Sequence, residues 1–573
     1  MKIMFILNGE AIVECEAALR TSAGLPWRRG GRLVLGAWLV CAASVESCSS
    51  DTPAITSGTG GSGGTTSGDT TGAAGSSTAS STSGSTDGAG GAGTTGGGNA
   101  GSGGNAGSGG ATSTPDGGIA DSAEGGTMTS PEGGDTAGVS APIVTPVSTT
   151  GHDRFFGVVY DTTGNLFSVG QVAVTTESTA DISTVVAKFS PTGALDPTFG
   201  AGGFAIRNLA TGANGELFRG IVVQSTGKIV VSGTIEHAGA ADARDRDIAL
   251  FRLNADGTDD KSFGSDGIVV LDLSTGVVSG TSFLADSAWG LDRYPDDRLV
   301  VSGGQVRAGG MDTDFALVRL TADGARDETF GTHGIFTLDT QQMGASVNAS
   351  PRNVTILPGA SGIVGAGYQP IPGADTGPVV YKVTDQGQLD TTFGAGGVFS
   401  DRPLTEQTEC YAVAVQPVTG GGYKLVTTGY GRQLETETTD LVSLRLDSDG
   451  KLDPTYGTAG VVRIDIGGFG DNSRKLATLP DGRILLIGGG RRTSADVDGI
   501  VARLTPDGRP DPSFSATGWK AFDLGGPADF LWSVALSADA KTAAIVGVKG
   551  VGANPMPAGS NDDAVLLLLP LSP

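Results

Sequence analysis

One turn motif, Asp-x-x-Phe-Gly, recurs along most of this chain at separations of 64, 67, 63, 63 and 58 residues and constrains the fold more than any other feature. Its aromatic positions are Phe199, Phe263, Phe330, Phe393, Tyr456 and Phe514. Its acids are Asp196, Asp260, Asp327, Asp390, Asp453 and Asp511. Repeats of this length are typical of propellers and solenoids. We expect each acid to close a turn by accepting a backbone N–H, and each ring to fill the gap between neighbouring units.

Short apolar runs broken by Gly, Asp and Pro begin at residue 141, and they show no helical periodicity. In the second unit they predict four strands, A to D, at 219–224, 227–234, 247–253 and 267–273. Seven A–B–C triplets can be counted, near 156–189, 219–253, 289–320, 352–383, 411–446, 474–504 and 532–569, but only six D strands follow. The isolated run at 141–148 is the expected seventh D strand, because pairing it with the last C strand leaves no bare edge.

The sequence therefore predicts an all-β fold at 141–573, a seven-bladed β-propeller of four-stranded antiparallel blades whose last blade is closed by the N-terminal strand. Three segments, Gly-Lys-Ile-Val-Val-Ser-Gly at 227–233, Arg-Leu-Asn-Ala-Asp-Gly at 252–257 and Leu-Asp-Pro-Thr-Phe-Gly at 195–200, resemble the delta-60 repeat of bacterial surface proteins. The resemblance covers nearly all of 150–570 and implies a propeller without implying an activity. The chain departs from that pattern in the seventh unit, which lacks the turn, and at Ser515, where glycine is usual.

The first 48 residues are expected to be an export signal. Basic residues at 28, 29 and 32 precede an apolar run at 33–45, which is too short to span a membrane. Val45-Glu46-Ser47-Cys48 resembles a bacterial lipobox, with Cys48 as the lipidated residue and Glu46 as a departure from the usual residue there. We expect translation to start downstream of Met1, and ordinary cleavage with free secretion is the alternative.

Residues 49–140 are rich in Gly, Ser, Thr and Ala and contain no Lys or Arg. With no apolar face to bury, such a segment cannot repay the entropy of ordering. We predict a disordered tether whose reach is roughly 50 Å. By resemblance, Ser49 after the cysteine favours outer-membrane sorting. The predicted location is therefore the cell envelope, as an outer-membrane lipoprotein or an exported protein at the cell surface.

Charge and composition limit the classes of molecule that this protein is expected to bind. A net charge of −24 disfavours nucleic acid, and we expect a monomer that touches membrane only through its lipid. Of the four cysteines only Cys410 lies in the repeats, which leaves no disulfide framework and too few thiolates for zinc. No catalytic constellation is recognisable, so we predict a protein that is not an enzyme and has no cofactor, with a calcium site left open because carboxylates are plentiful near the ring.

The two ends of the blades differ in how much the units vary. Strand alternation places the A–B turns and the turn motif on one face, where the units are uniform. The B–C loops lie on the other face and vary, as at 234–246, 369–378 and 547–560. Loops on a rigid scaffold are where binding usually resides, so the variable-loop face is the expected working face.

The residues predicted to open the seven A strands alternate between aromatic and arginine, and the odd number brings two aromatics together at the closure. They are Phe156, Arg219, Trp289, Arg352, Tyr411, Arg474 and Trp532. Because A strands line the channel, we expect these side chains to encircle its mouth on the variable-loop face. Acids stand three positions earlier in five units and are expected to pair with the arginines: Asp153, Glu216, Asp286, Asp471 and Asp529.

Two interpretations of this ring stay open, a structural girdle between blades and a ligand mouth suited to sugar rings or anionic glycans. The function predicted is a cell-envelope lipoprotein displaying a non-catalytic propeller that binds a glycan or a protein on its variable-loop face. The alternatives are a propeller hydrolase or lyase, a calcium-dependent lectin with its site at the mouth, and a purely structural surface scaffold.

Overall fold

The structure, a computed structural model, describes residues 2–6, 12–16, 141–148, 151–173, 180–211, 215–238, 245–274, 286–306, 312–340, 348–493, 496–550 and 561–571. The chain divides into two units, Met1–Thr95 and Gly96–Pro573. In the first, β1 (Lys2–Ile6) and β2 (Ile12–Glu16) form an antiparallel pair. The predicted lipidation site Cys48 and the linker at 49–140 lie outside the described residues. No helix in the described ranges is long and apolar enough to cross a membrane.

The second unit consists of short strands. It begins with β3 (Ile143–Thr145) and continues with β4 (Asp153–Tyr160), β5 (Leu166–Ala173), β6 (Ile182–Phe189) and β7 (Phe204–Arg207) of blade 1. Blade 2 contains β8 (Glu216–Val223), β9 (Ile229–Glu236), β10 (Arg246–Leu253) and β11 (Ile268–Leu271). Blade 3 contains β12 (Ser287–Arg293), β13 (Leu299–Val306), β14 (Thr313–Leu320) and β15 (Ile335–Leu338).

The remaining blades follow the same order. Blade 4 contains β16 (Ser350–Ile356), β17 (Ile363–Ile371), β18 (Ala374–Val383) and β19 (Val398–Phe399), with a 3-10 turn at Pro358–Ala360. Blade 5 contains β20 (Gln407–Pro417), β21 (Tyr423–Arg432), β22 (Asp440–Leu446) and β23 (Val461–Ile464). Blade 6 contains β24 (Asn472–Thr478), β25 (Ile484–Thr493), β26 (Asp496–Leu504) and β27 (Trp519–Phe522). Blade 7 contains β28 (Phe530–Leu536), β29 (Thr542–Lys549) and β30 (Asp563–Pro570).

Each blade is an antiparallel meander whose strands pair in chain order, and β3 supplies the fourth strand of blade 7. Ile143 lies opposite Leu566, and Thr145 lies opposite Ala564. The innermost strands pack side by side around the channel, with β28 against β4 at the closure. The structure confirms the seven-bladed propeller and its N-terminal closing strand.

The apolar core is divided among the interfaces between blades. Each of seven clusters of buried residues in the described ranges lies between two adjacent blades. At the closure, Phe155 and Phe189 of blade 1 pack with Val546 and Leu566 of blade 7. Since burying one such side chain contributes about 1.5–3 kcal/mol, every blade depends on both of its neighbours.

The turn motif fastens the uniform face, as the second copy shows. Asp260 accepts the backbone N–H of Ser262 at 3.2 Å through one oxygen and the Arg252 Nε–H at 2.6 Å through the other. The Arg252 guanidinium lies 4.8 Å from the centroid of the Phe263 ring, which is fully buried. The expected turn closure by an acid is therefore present, and the acid has a basic partner as well.

The same turn also reaches the next blade. Gly264 donates its N–H to the carbonyl of Asp323 at 2.9 Å, and equivalent bonds join Gly331 to Gln386 and Gly457 to Asp507. Blade 7 has no such turn after its third strand, because its fourth strand comes from the N-terminus. The predicted plugging of the gap between blades by the aromatic ring is thus seen together with a backbone bond that the sequence did not reveal.

Candidate functional site at the channel mouth

The seven predicted ring residues share one backbone feature that the sequence analysis did not anticipate. The pairing between the innermost and second strands skips one residue in every blade, and the skipped residues are Phe156, Arg219, Trp289, Arg352, Tyr411, Arg474 and Trp532. A residue without a cross-strand partner is a β-bulge, and bulges redirect side chains. Each ring residue therefore leaves the normal alternation of its strand.

The predicted start of the innermost strands was wrong by a few residues. The second unit was expected to begin its first strand at Arg219, but β8 begins at Glu216. The strand begins with a buried acid, Glu216, which interrupts the apolar pattern ahead of Leu217 and Phe218. The ring residues consequently lie inside their strands.

All seven ring side chains line one cavity of about 140 Å³. Gly157, Gly220 and Gly290 line it as well, each directly after a bulge. A Cβ at Gly157 would lie 2.4 Å from the carbonyl oxygen of Arg219, so the innermost strands of blades 1 and 2 approach too closely for a side chain there. Glycine after the bulge thus lets the strands crowd around the mouth.

The ring residues stack in the predicted alternation. The Arg219 guanidinium carbon lies 4.4 Å from the Trp289 ring centroid and 5.5 Å from that of Phe156. Arg352 lies 3.9 Å from Trp289 on its other side and 5.0 Å from Tyr411. Each of these arginines is therefore flanked by two rings, and each contact contributes roughly 0.5–2 kcal/mol.

The third arginine completes the circle. Arg474 lies 4.0 Å from the Tyr411 ring centroid and 5.5 Å from that of Trp532. Trp532 meets Phe156 edge to face, with ring centroids 5.3 Å apart and planes at 84°. The expected contact between these two aromatics is present, and the ring is continuous.

The three guanidiniums have no carboxylate partner within the described residues, where none of them forms an ion pair. Their Nε atoms are all buried without a hydrogen-bond acceptor. Arg352 donates through its terminal nitrogens to the Pro351 carbonyl at 3.1 Å and to the Tyr368 hydroxyl at 2.6 Å. Burial, together with repulsion from Arg352 and Arg474, lowers the pKa of Arg219 to about 9.

The five acids three positions before the ring do not pair with its arginines, and that expectation was wrong. They accept backbone N–H groups from the segment that follows the outer strand of the preceding blade. Asp286 accepts the N–H of Ser274 at 2.9 Å, and Asp529 accepts those of Leu524 at 2.6 Å and Gly526 at 3.3 Å. Unpaired backbone donors are costly to bury, so these acids join neighbouring blades instead of neutralising the mouth.

Burial raises the pKa of these acids despite their hydrogen bonds. The pKa is raised to about 7 for Asp153, Asp286 and Asp471, and to about 6 for Asp529. For Glu216 the pKa is also raised, with burial as the main cause. Desolvation of the charged form outweighs the backbone donors at all five positions.

The sequence analysis missed one further cation in the lining. Lys475 follows the bulge at Arg474, in the place that blades 1, 2 and 3 give to glycine. Burial lowers the pKa of Lys475, and the charge of Asp292 partly opposes this effect. An alignment of the seven units shows the lysine as the one charged residue at this position.

Tyrosines add to one side of the ring. The Tyr368 and Tyr411 hydroxyl oxygens are 3.3 Å apart, and the Tyr411 and Tyr430 rings stack with centroids 5.5 Å apart. Tyr368 and Tyr430 occupy the same position on the second strands of blades 4 and 5, opposite the residue two before the bulge. The predicted variable segment 369–378 is part of a hairpin, with β17 and β18 joined at Pro372 and Gly373, while 239–244 and 551–560 of the other two predicted loops lie outside the described residues.

Carboxylates also gather at the ends of the outer strands, in four groups of the described residues that could hold a cation. Three of these groups already contain a basic partner. His237 Nδ1 lies 3.0 Å from Asp247, and the guanidiniums of Arg463 and Arg492 contact Asp440 and Asp498. None of these acids lines the mouth, so a calcium site there remains a prediction.

The comparisons with known proteins concern the fold. A family model described as "Domain of unknown function (DUF5122) beta-propeller" matches residues 224–263, 295–330 and 479–514, each of which ends on a turn aromatic. No curated protein sequence matches the chain. The match and the strand pairing agree on a β-propeller.

Several solved structures are similar at low identity. A Dyadobacter fermentans protein of unknown function is 13% identical, with 76% of this chain and 100% of that chain covered and a TM-score of 0.38. The α-L-arabinofuranosidase Arb93A of Fusarium graminearum is 10% identical, with 76% and 99% covered and a TM-score of 0.35. The β-propeller domain of the Trilobed protease of Pyrococcus furiosus is 9% identical, with 76% and 97% covered and a TM-score of 0.34. These values support no transfer of activity.

Proposed function

We propose that this protein is a cell-envelope lipoprotein of the delta-60 repeat type that displays a non-catalytic, monomeric propeller and binds a glycan at its channel mouth. The observation that carries the proposal is the convergence of seven bulged side chains, one from each blade, on a single cavity. Alternating aromatic faces and guanidinium edges can stack on sugar rings and hydrogen-bond their substituents. Neither a carboxylate nor a histidine is among the described residues of the lining.

Glycan binding is tested with the full chain on a glycan array and on isolated cell walls. We expect the double variant Trp289→Ala/Trp532→Ala to lose binding by about tenfold or more, because it removes two stacking faces. Trp519→Ala is the matched control, since Trp519 lies on the outer strand of blade 6 and outside the cavity. A folded double variant that binds like the wild type would make the ring a girdle and the protein a structural scaffold.

A surface protein as ligand is the other outcome of the same experiment. In that case partners crosslinked on intact cells would depend on Trp289 and Trp532, while no glycan would. The calcium-dependent lectin would be recognised by loss of glycan binding in a chelator, and a hydrolase or lyase by cleavage of the bound glycan. We expect the glycan to stay bound in the presence of chelator and to remain uncleaved.

Lipid anchoring is tested separately, because it depends on Cys48 and not on the propeller. We expect radiolabelled palmitate to be incorporated by the wild type and not by Cys48→Ala. Protease shaving of intact cells would then show whether the domain is displayed at the surface. Absence of label in the wild type, with protein in the medium, would replace the lipoprotein by a secreted protein.

A further inference from the structure

We propose that the ligand presents an anionic group, a carboxylate, sulfate or phosphate, to the guanidinium edges of Arg219, Arg352 and Arg474. The inference rests on the proposed function, because it names the chemistry of the ligand for the same mouth. It adds that recognition depends on charge and on oxygen geometry as well as on stacking. A neutral sugar would satisfy the proposed function but not this inference.

The charges around the cavity are out of balance. Three arginines and Lys475 line it, and no carboxylate is among its described lining residues. This occurs in a protein whose net charge is −24, where acids are abundant. The junction acids, exemplified by Glu216, are committed to backbone N–H groups, and Asp292 opposes only the charge of Lys475. A buried cation without a counter-ion is unfavourable, and an anionic ligand would supply the missing charge.

Hydrogen-bond donors also outnumber acceptors around the ring arginines. The Nε–H of each ring arginine is buried without an acceptor. Leaving a buried donor unpaired costs free energy, and donors on charged groups cost more than neutral ones. Three such arginines lie around one mouth, on alternate blades of the ring, and an oxyanion bound to their terminal nitrogens would offset part of this cost.

The stacking explains why the edges remain available. Arg219 is covered by Phe156 and Trp289, and Arg474 by Tyr411 and Trp532. A guanidinium whose faces are covered by rings can still donate from its edge, in the forked geometry that fits carboxylate, sulfate or phosphate oxygens. The aromatic residues therefore hold the arginines apart against their mutual repulsion and keep them extended.

The size of the cavity limits what enters. Its volume of about 140 Å³ is below the roughly 300–1,000 Å³ of pockets that enclose a drug-sized ligand. One anionic group fits such a space, and the rest of the ligand would extend toward the variable loops.

The test titrates the full chain with sodium phosphate, sulfate or acetate against chloride at constant ionic strength, by calorimetry and by tryptophan fluorescence. We expect one saturable site for at least one oxyanion. Arg352→Gln should weaken it about tenfold or more, whereas Arg509→Gln, which removes an exposed arginine on the uniform face, should leave it unchanged. Absence of saturable binding, or equal affinity in Arg352→Gln, would overturn the inference.

A second variant covers the case in which Arg352→Gln does not fold. Arg219→Lys keeps the charge but loses the fork, and we expect several-fold weaker oxyanion binding together with a retained thermal transition. The glycan array separates the two proposals. If neutral glycans bind through Trp289 and Trp532 and phosphate does not compete, the inference of an anionic group fails and the proposed glycan binding at the mouth stands. If phosphate binds through the arginines and no glycan on the array binds, the anion site stands and the proposed glycan binding fails.

Discussion

The two ends of the blades use the same three kinds of residue in opposite ways. On the uniform face, Arg503 lies over the Phe514 ring at 4.9 Å and donates to Asp511 at 2.7 Å, so stacking and ion pairing go together. At the mouth, Arg219 lies between two rings and forms no ion pair with an acid among the described residues. An arginine that has both partners is part of the scaffold, whereas one that has only rings is available to a ligand.

The acids show the same contrast. In the turn, the Thr198 hydroxyl and the Lys188 ammonium stabilise the charged form of Asp196 and lower its pKa to about 2. At the blade junctions near the mouth, burial raises the pKa of Asp153 and Asp286 to about 7. Both sets close turns or junctions through backbone N–H groups, so the deeper burial of the junction acids, which disfavours their charged form, decides the direction of the shift.

The largest effect is expected from breaking the partnered end. Arg503→Met leaves Asp511 buried with no basic partner, and losing one member of such a pair costs about 3–5 kcal/mol. Urea unfolding followed by fluorescence measures this change. Arg509→Met, which removes an exposed arginine from the same face, is the control and should cost less than about 0.5 kcal/mol. A loss below 1 kcal/mol in Arg503→Met would show that the turn acids need no cation.

The pH dependence should follow from the unpartnered end. A carboxyl whose pKa is raised in the folded state keeps its proton where the unfolded chain has lost it, so folding is favoured at low pH and this contribution is lost as pH rises toward the folded pKa. With Asp153, Asp286 and Asp471 near 7 and Asp529 near 6, the free energy of unfolding should fall between pH 5 and pH 8.

The fall should amount to several kcal/mol in sum, since each pKa unit corresponds to about 1.4 kcal/mol and four acids contribute. Urea midpoints at pH 5, 6, 7 and 8 measure it. Asp286→Asn should reduce the slope, because it removes one of the titrating groups while retaining an acceptor for the Ser274 N–H. Stability that increases from pH 5 to pH 8 would contradict the raised pKa values.

A smaller effect on the free energy of unfolding is expected when an arginine of the mouth, rather than one of the turn, is replaced by methionine. Arg219→Met removes a cation that has no acid to abandon, and the methionine keeps apolar contact with the flanking rings. The loss of two cation–π contacts and the relief of an unpaired charge oppose each other, so the free energy of unfolding should change by about 1 kcal/mol at most. A cost equal to that of Arg503→Met would make the mouth part of the scaffold.

The sequence was sufficient for the parts of the fold that repeat as side chains. The turn aromatics and acids recur at a fixed distance, which predicted the blades, and the unmatched run at 141–148 predicted the closing strand. The alternation from Phe156 to Trp532 predicted the ring and its closure contact. Each of these features depends on the type of side chain at a position, and side-chain type can be read directly from the sequence.

The parts that were missed depend on the backbone. The bulge at Arg219 leaves no mark in the residue pattern, because apolar residues stand on both sides of it, Leu217 and Phe218 before and Ile221 after. The partners of Asp286 and Asp529 are backbone N–H groups, which every residue except proline carries and which no sequence motif reports. Tyr368 and Lys475 reach the mouth from positions that other blades fill differently, and only a comparison between units could single them out.

The smallest effect is expected at a turn acid that is partly exposed. Asp196 lies 2.9 Å from Lys188, and both side chains retain some exposure, so solvent screening reduces the value of the pair to less than about 1 kcal/mol. Its pKa is lowered in the folded state, which means that its contribution is present above pH 4 and is lost as pH falls toward 2. Asp196→Asn should therefore cost a fraction of a kcal/mol at pH 6 and nothing at pH 2. Because the junction acids are fully protonated in that lower range, a difference between variant and wild type that grows on acidification would mean that Asp196 behaves like the junction acids and not like the other turn acids.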